Sequence, residues 1–319
     1  MRHFVLTAGF AVALVTCHLS AQSIPPYVPA NPLLESRSAL YSQPFVQPSP
    51  GWHWRWLTDY YNAVETATSP DAARSTTFDA EVLQSDLWLT HDLSRHVFVL
   101  GNVAVRGGYD GFLDAFLIWY HHFIGLAVPA RDELPHDTFQ WHTEFPDTIV
   151  DRSAPGTFLG DVRAGIGVRF GRAQLVASAT LPTATSKDGW VRHVIGTSLA
   201  LTAEPIRSNR VIVDASISGG YTPTQGGLAP YQKSWFGSAM LATRWRFAGQ
   251  QAVYGTLWAQ SSNWQQTGFV DVDDAEVIGD FGFLLHVAKH WPELQLGLTE
   301  DMVPKGPAMD IGFAIGLRW

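Results

Sequence analysis

The last ten residues constrain the chain most. Ile311, Phe313, Ile315, Leu317 and Trp319 fall on one face of an extended segment, and Asp310, Gly312, Ala314, Gly316 and Arg318 on the other. Successive side chains of a strand point to opposite sides. One face of this segment is therefore continuously apolar and the other small or charged. Lipid suits the first face and a wet lumen suits the second, which is the pattern of a membrane-spanning β-barrel strand.

The pattern recurs. From Phe158 onward, Phe158, Val162, Ala164, Ile166, Val168 and Phe170 are expected to share the lipid face, opposite Asp161, Arg163 and Arg169. Two arginines and an aspartate turned into the core of a soluble sandwich would be costly unless paired. Trp52, Trp54 and Trp56 alternate with His53 and Arg55. Trp235, Ala239, Leu241 and Trp245 alternate with Ser234, Ser238 and Arg244, and Phe281, Phe283, Leu285 and Val287 with Asp280 and His286. Trp and Tyr near strand ends fit interfacial girdles.

Composition narrows the class. A net charge of -8 and a mean hydropathy of +0.01 are too polar for a helical membrane protein, yet the chain carries 13 Trp, 18 Phe, 9 Tyr and 28 Gly. Abundant glycine and aromatics with weak overall hydropathy fit residues that alternate between lipid and lumen. The longest near-apolar run, Phe112 to Ala127, is interrupted by Asp114, His121 and His122. The acidic balance, with only four Lys, argues against a nucleic-acid partner.

The first residues read as a secretory signal: a basic start at Arg2 and His3, an apolar core from Phe4 to Val15, and a small-residue cleavage site at Ser20-Ala21. A lipoprotein signal at Leu14 to Cys17 is the alternative, with Thr16 a poor match before the cysteine. Cys17 is the only cysteine, so cleavage after Ala21 leaves none for disulfides or thiolate ligands. The expected organisation is a signal peptide (1–21), an N-terminal periplasmic segment (22–50) and an outer-membrane barrel (51–319).

Connection lengths supply a strand count. Working back from the C-terminus, 302–307 is long, 289–292 short, 262–274 long, 248–250 short, 220–233 long, 204–209 short, 182–189 long and 171–172 tight. Near the start, 91–95 is a turn and 63–75 a loop. Short periplasmic turns, long outer loops and an even count close the scheme at about twelve strands, both termini periplasmic, if 107–156 is one outer connection without a membrane-crossing strand pair. That connection contains a helix over 112–124. Phe112, Phe116, Trp119 and Phe123 form a stripe at helical spacing, with Asp114, His121 and His122 on another face. Such an insertion would cap the barrel, lie on the outer leaflet, or fold inward as a plug.

The run from Gly111 to Asp137 (GFLDAFLIWYHHFIGLAVPARDELPHD) resembles the signature of the domain of unknown function 3187 family of outer-membrane barrels. Gly160 to Phe170 (GDVRAGIGVRF), followed by Leu181 to Thr185 (LPTAT), is similar to that family and to the wider meta-pathway phenol degradation-like barrels. Ala184 stands where a glycine is usual in the latter. The resemblance implies location and architecture, supplies no reaction, and hints at passage of small, aromatic molecules. Phe313 to Trp319 also resembles the terminal signal read by the barrel-assembly machinery, which would make that machinery a partner in biogenesis, beside outer-membrane lipid and lipopolysaccharide.

Candidate functional residues follow. Arg55, Asp161, Arg163, Arg169, Arg244 and Asp280 are expected to line the lumen, where charged rings select solutes or fill a narrow barrel with ion pairs. Asp114, His121 and His122, with Arg131 and Asp132 further on, are candidates for ligand contact or gating in the insertion. Adjacent histidines on a helix point in different directions, which weakens a shared metal site. The acidic loop of Asp271, Asp273, Asp274 and Glu276 would offer calcium its oxygens but lacks the EF-hand spacing, and reads as a solvated loop. No Gly-x-Ser-x-Gly is present, Ser198 and Ser216 have no evident histidine partner, and Gly165-Ile166-Gly167 sits inside a strand. No cofactor and no catalytic residue is expected. The leading expectation is a passive channel or transporter of small solutes with a plugged or constricted lumen. The alternatives are a lipid-modifying enzyme and a closed structural barrel.

Overall fold

Alternation closes into a ring, because the first strand pairs with the last. The computed structural model describes residues 24–27, 42–125, 134–186, 190, 192–288, 291–303 and 311–319. Its elements, in chain order, are β1 (Trp52–Thr68), β2 (Ser75–Asp92), β3 (Val97–Tyr109), α1 (Asp114–Ile124), β4 (Gln140–Phe145), β5 (Thr148–Arg152), β6 (Gly156–Leu159), β7 (Val162–Phe170), β8 (Ala173–Leu181), β9 (Gly196–Arg207), β10 (Val211–Tyr221), β11 (Trp235–Ala248), β12 (Gln251–Gln260), α2 (Val270–Asp273), β13 (Glu276–His286), β14 (Glu293–Asp301) and β15 (Ile311–Arg318). β1 runs antiparallel to β15 from Arg55 opposite Arg318 to Asn62 opposite Ile311. Counting β6 with β7 as one broken stave, twelve staves close the barrel as expected. Closure leaves no strand edge in the hydrocarbon, where each unpaired backbone group would cost several kcal/mol, roughly.

The expected faces hold along most strands. Ile166, Val168, Phe170, Leu241, Trp245, Phe281, Phe283, Phe313 and Ile315 are exposed on the outer wall, while Arg163, Arg169, Arg244 and Asp280 are buried within. Asp310 lies outside the described residues. Each large aliphatic or aromatic side chain moved from water into lipid contributes about 1.5–3 kcal/mol. The periplasmic turns are short. Gly171, at φ +66°, supplies the left-handed conformation that the two-residue turn between β7 and β8 requires.

Phe158 departs from the expected face. It is buried inside the barrel, and Leu159 is exposed instead. The stave breaks at Gly160-Asp161, and one extra residue reverses which side chains point inward. The break is stitched to the segment after β8. Asp161 accepts the Ala184 N–H at 2.8 Å, and Thr183 and Thr185 hydroxyls accept the Val162 and Leu159 N–H groups at 2.8 and 3.0 Å. The Gly-Asp and Leu-Pro-Thr motifs thus stand in direct contact.

β1 and β2 are 17 and 18 residues long, against the roughly 9–11 that cross a bilayer. They rise well beyond the membrane on the outer side. There the β4–β5 hairpin extends the wall, β4 pairing with Ser75 to Asp79 of β2. Among its described residues, the stretch 107–156 therefore adds a rim hairpin and α1, and no membrane-crossing pair.

Small residues shape the interior. A Cβ on Gly312 would stand 2.0 Å from the Tyr61 ring, and one on Gly297 would stand 2.3 Å from the Tyr254 hydroxyl. Both tyrosines consequently lie flat against the wall between β1 and β12.

Candidate functional site

Inward-facing charges segregate by height and by wall. Near the periplasmic end, Glu293 receives Arg244 at 2.7 Å and Arg318 at 2.9 Å. Arg55 is buried close by and donates to the Ile24 carbonyl at 3.2 Å. Arg169 pairs with Asp92 at 2.6 Å and lies over the Phe98 ring. Higher, on the wall of β2, β3 and β7, Asp86 accepts from Asn102 at 2.9 Å and faces Arg106 at 3.7 Å. Arg163 donates to Asn102 at 3.3 Å. Asp59, on β1 beside that wall and in register with Gln84 of β2, and Glu276 and Asp280, on β13, are buried as well. Tyr254 donates to Asp280 at 3.2 Å.

The structure thus brings Arg55, Arg163, Arg169, Arg244 and Asp280 onto the lumen wall. Asp161 is buried at the outer rim, bonded to the segment after β8.

The lumen is occupied by the chain itself. The segment expected to hang in the periplasm instead threads the barrel in both of its described parts, 24–27 and 42–49. Ser42 N–H meets Ser238 at 3.1 Å, and Thr202 donates to the Gln43 carbonyl at 2.7 Å. Gln174 holds two groups, accepting from Val46 N–H at 2.8 Å and donating to the Pro44 carbonyl at 3.0 Å. Phe45 N–H donates to Asp214 at 2.9 Å, Arg169 donates to the Val46 carbonyl at 2.7 Å, and Ser49 N–H donates to Asp92 at 2.8 Å. Polar side chains that would otherwise face water in the barrel bind this backbone. Between the segment and the wall lies a cavity of about 150 Å³, where Phe45, Trp88, Leu100 and Val176 meet the polar side chains of Arg55, Gln174 and Arg318.

Aromatic side chains fill the outer half. Phe78, on β2, meets Trp141 edge-on at 5.2 Å, and Trp141 meets Trp190 at 5.3 Å. Phe145 stacks on Tyr231 at 3.8 Å and approaches Phe269 at 5.9 Å. The outer hairpin and three outer loops thus meet in one buried apolar cluster, which Ile24 and Tyr27 of the N-terminal segment join.

The helical insertion takes the outer-leaflet position among the three expected for it. Starting at Asp114, α1 lies against the outside of β1, β2 and β15. Phe112 stacks on Tyr60 at 5.5 Å, and Phe116 lies 6.2 Å from the lipid-facing Phe313. Glu81 accepts the Phe112 N–H at 2.6 Å and also the Leu113 N–H, satisfying donors at the helix start. Asp114 accepts from Asn62 at 3.0 Å and from Asp137 N–H at 2.6 Å. Leu117 and His121 are buried against the wall, while Phe112, Phe116, Trp119 and Phe123 stay exposed. Asp114, His121 and His122 are therefore removed from the lumen, because the aromatic stripe prefers lipid and the polar face finds partners on the barrel. Arg131 and Asp132 lie outside the described residues.

Sequence reasoning missed Asp59, Glu293, Gln174, Asp214 and the N-terminal segment. Asp59 and Asp214 continue a period of two from Arg55 and Ser216, so extending the alternation along those strands would have found them; Gln174 and Glu293 stand on β8 and β14, where no residue had been singled out. The segment carries no periodicity at all.

No family model matches the chain, and no curated protein matches it in sequence. Solved structures do resemble it. An outer membrane channel from Pseudomonas putida F1 superposes with a TM-score of 0.53 at 11% identity, covering 85% of this chain and 96% of that one. The toluene transporter TodX of P. putida gives 0.40 at 10% identity, covering 85% and 89%, and a FadL homologue from Pseudomonas aeruginosa gives 0.41 at 8%, covering 93% and 99%. The first of these shows the fold that the strand pairing gives independently. The chain is a twelve-stranded outer-membrane β-barrel.

Proposed function

We propose that this barrel is a passive channel for small, largely apolar solutes, with its own N-terminal segment as the constriction. The observation that carries the reading is the way the segment is held. Its described backbone is bound by side chains projecting from six strands and, among the described residues, by no strand pairing, so it docks as a ligand would. The cavity beside it, in which Arg55 and Arg318 join the aromatic and aliphatic lining, matches in size a void that accepts benzene in another protein. The resemblance of the P. putida F1 channel in fold supports the same reading. Membership in the domain of unknown function 3187 family rests on the run from Gly111 to Asp137. Docking of Phe313 to Trp319 on the assembly machinery is proposed alongside, on its lipid-facing alternation.

The test is planar-bilayer conductance of the refolded barrel with and without residues 22–50. The full chain should conduct rarely. The truncated chain, shown to be folded by heat-modifiable migration in detergent, should conduct steadily and pass benzyl alcohol into liposomes. A folded truncated barrel with neither conductance nor flux would end the proposal.

A further inference from the structure

The cavity beside the N-terminal segment has a lining suited to anions. Among the described residues around it there are two arginines, Arg55 and Arg318, and no aspartate or glutamate. Arg55 stands directly opposite Trp88 of β2 and directly opposite Arg318 of β15, so the three form one row across neighbouring strands. Directly opposite residues share a face of the sheet. Arg55 and Trp88 are each 7% exposed. Two acids of this end of the barrel are already paired. Glu293 meets Arg244 and Arg318, and Asp92 meets Arg169 and the Ser49 N–H.

The unpaired polar groups call for the same chemistry. Three lining residues carry a buried polar atom with no hydrogen-bond partner among the described residues: Trp88 Nε1, Gln43 Nε2 and Ser49 Oγ. The first two can only donate, and the hydroxyl is able to. Buried donors left unpaired are costly, and an acceptor brought beside them removes the cost. Phe45, Leu100, Val176 and the Trp88 ring supply apolar wall in the same cavity. At about 150 Å³ the space takes one benzene-sized ring.

We propose that this cavity is a binding site for a small aromatic carboxylate, its ring against Phe45, Leu100 and Val176 and its carboxylate at Arg55 and Arg318, with the Trp88 Nε1–H as a further donor. Guanidinium forks take carboxylates through paired, charge-assisted hydrogen bonds, so a carboxylate head is told apart from a neutral or cationic one on the same ring. As a statement about transport the inference rests on the channel reading, to which it adds a substrate class: aromatic acids ahead of neutral aromatics and of amines.

Benzoate, benzyl alcohol, benzylammonium and acetate are the probes, with calorimetry on the full mature chain refolded in detergent. Benzoate should bind saturably and at least about tenfold more tightly than each of the other three, the difference that a charge-assisted hydrogen bond or a buried ring supplies. Arg55→Met, shown to be folded by heat-modifiable migration, should cost benzoate at least about tenfold and leave benzyl alcohol within about twofold. Trp88→Phe keeps an aromatic ring and removes the N–H. It should weaken benzoate at least about threefold, and it carries the test should Arg55→Met not fold. The proposal is overturned by benzyl alcohol, benzylammonium or acetate binding as tightly as benzoate, by the lack of saturable benzoate binding, or by benzoate affinity that ignores both substitutions. Its failure is separable from that of the channel. Benzyl alcohol flux through the truncated barrel, with no benzoate binding by the full chain, leaves the channel standing and removes the site. Benzoate binding by the full chain, with no flux through the truncated barrel, does the reverse.

Discussion

Replacing Gln174 with Leu should open the lumen more often. Gln174 is fully buried and clamps the N-terminal segment twice, accepting the Val46 N–H and donating to the Pro44 carbonyl. Each such bond contributes about 0.5–1.5 kcal/mol net, so losing both weakens docking by about 1–3 kcal/mol. That shifts a docked–undocked equilibrium roughly 5- to 150-fold. Leucine has similar bulk, so a blocked lumen is not a competing explanation, and β8 keeps its backbone ladders to β7 and β9. Single-channel recording in planar bilayers reads the shift as open probability. Asp214→Asn, which weakens the bond to Phe45 N–H, should add to it. If the double variant is folded and its open probability stays within a factor of two of the parent, the segment is not held by these bonds and the docking argument fails.

Other expectations follow from the same contacts. Glu293→Ala leaves Arg244, Arg318 and Arg55 close together without their shared carboxylate, and should cost about 3–5 kcal/mol in urea unfolding in detergent, partly recovered by adding Arg244→Met. Gly312→Ala places a methyl group against the Tyr61 ring and should cost about 1–3 kcal/mol in the same assay, with Tyr61→Leu relieving most of it. Deleting 111–135 should leave conductance unchanged, because α1 lies on the outer wall; a rise in conductance would instead make the insertion a gate. Trp119 should contribute to quenching by brominated lipids, so Trp119→Phe should lower the quenched fraction by a measurable share of the total Trp signal.

What was legible in the sequence followed from one physical regularity. Period-two alternation gave the strands, their faces and, with turn lengths, a closed count of twelve, and it placed Arg163, Arg169, Arg244 and Asp280 inside. It misplaced Phe158, because a single inserted residue at Gly160-Asp161 reverses parity and such a break leaves no compositional mark. It found the helix but not its side. An aromatic stripe with a polar opposite face suits a lumen cap and a lipid-facing flap equally well. The decision was made by Asn62 and Glu81, two polar residues on the outward faces of β1 and β2 where lipid alone would disfavour them. Polar residues at lipid-facing register positions are thus a readable sign that something covers the wall there.

The N-terminal segment escaped for a reason that also bears on what it does. Residues 24–50 hold seven prolines, including Pro25, Pro26, Pro44, Pro48 and Pro50. Proline lacks the N–H that a ladder needs and fixes an extended backbone, so such a segment cannot enter the sheet as a thirteenth stave. Its carbonyls and remaining N–H groups still need partners once inside the barrel. Only side chains projecting from the wall can supply them, and Gln174, Asp214, Arg169, Asp92 and Thr202 do. A strand-paired plug would share the stability of the sheet and leave only when the barrel unfolds. A plug held by scattered side-chain bonds has a stability of its own, each bond exchangeable for water once the segment moves. The prolines that hid this segment from a periodicity argument therefore keep it separable from the wall, and separability is what a removable constriction requires.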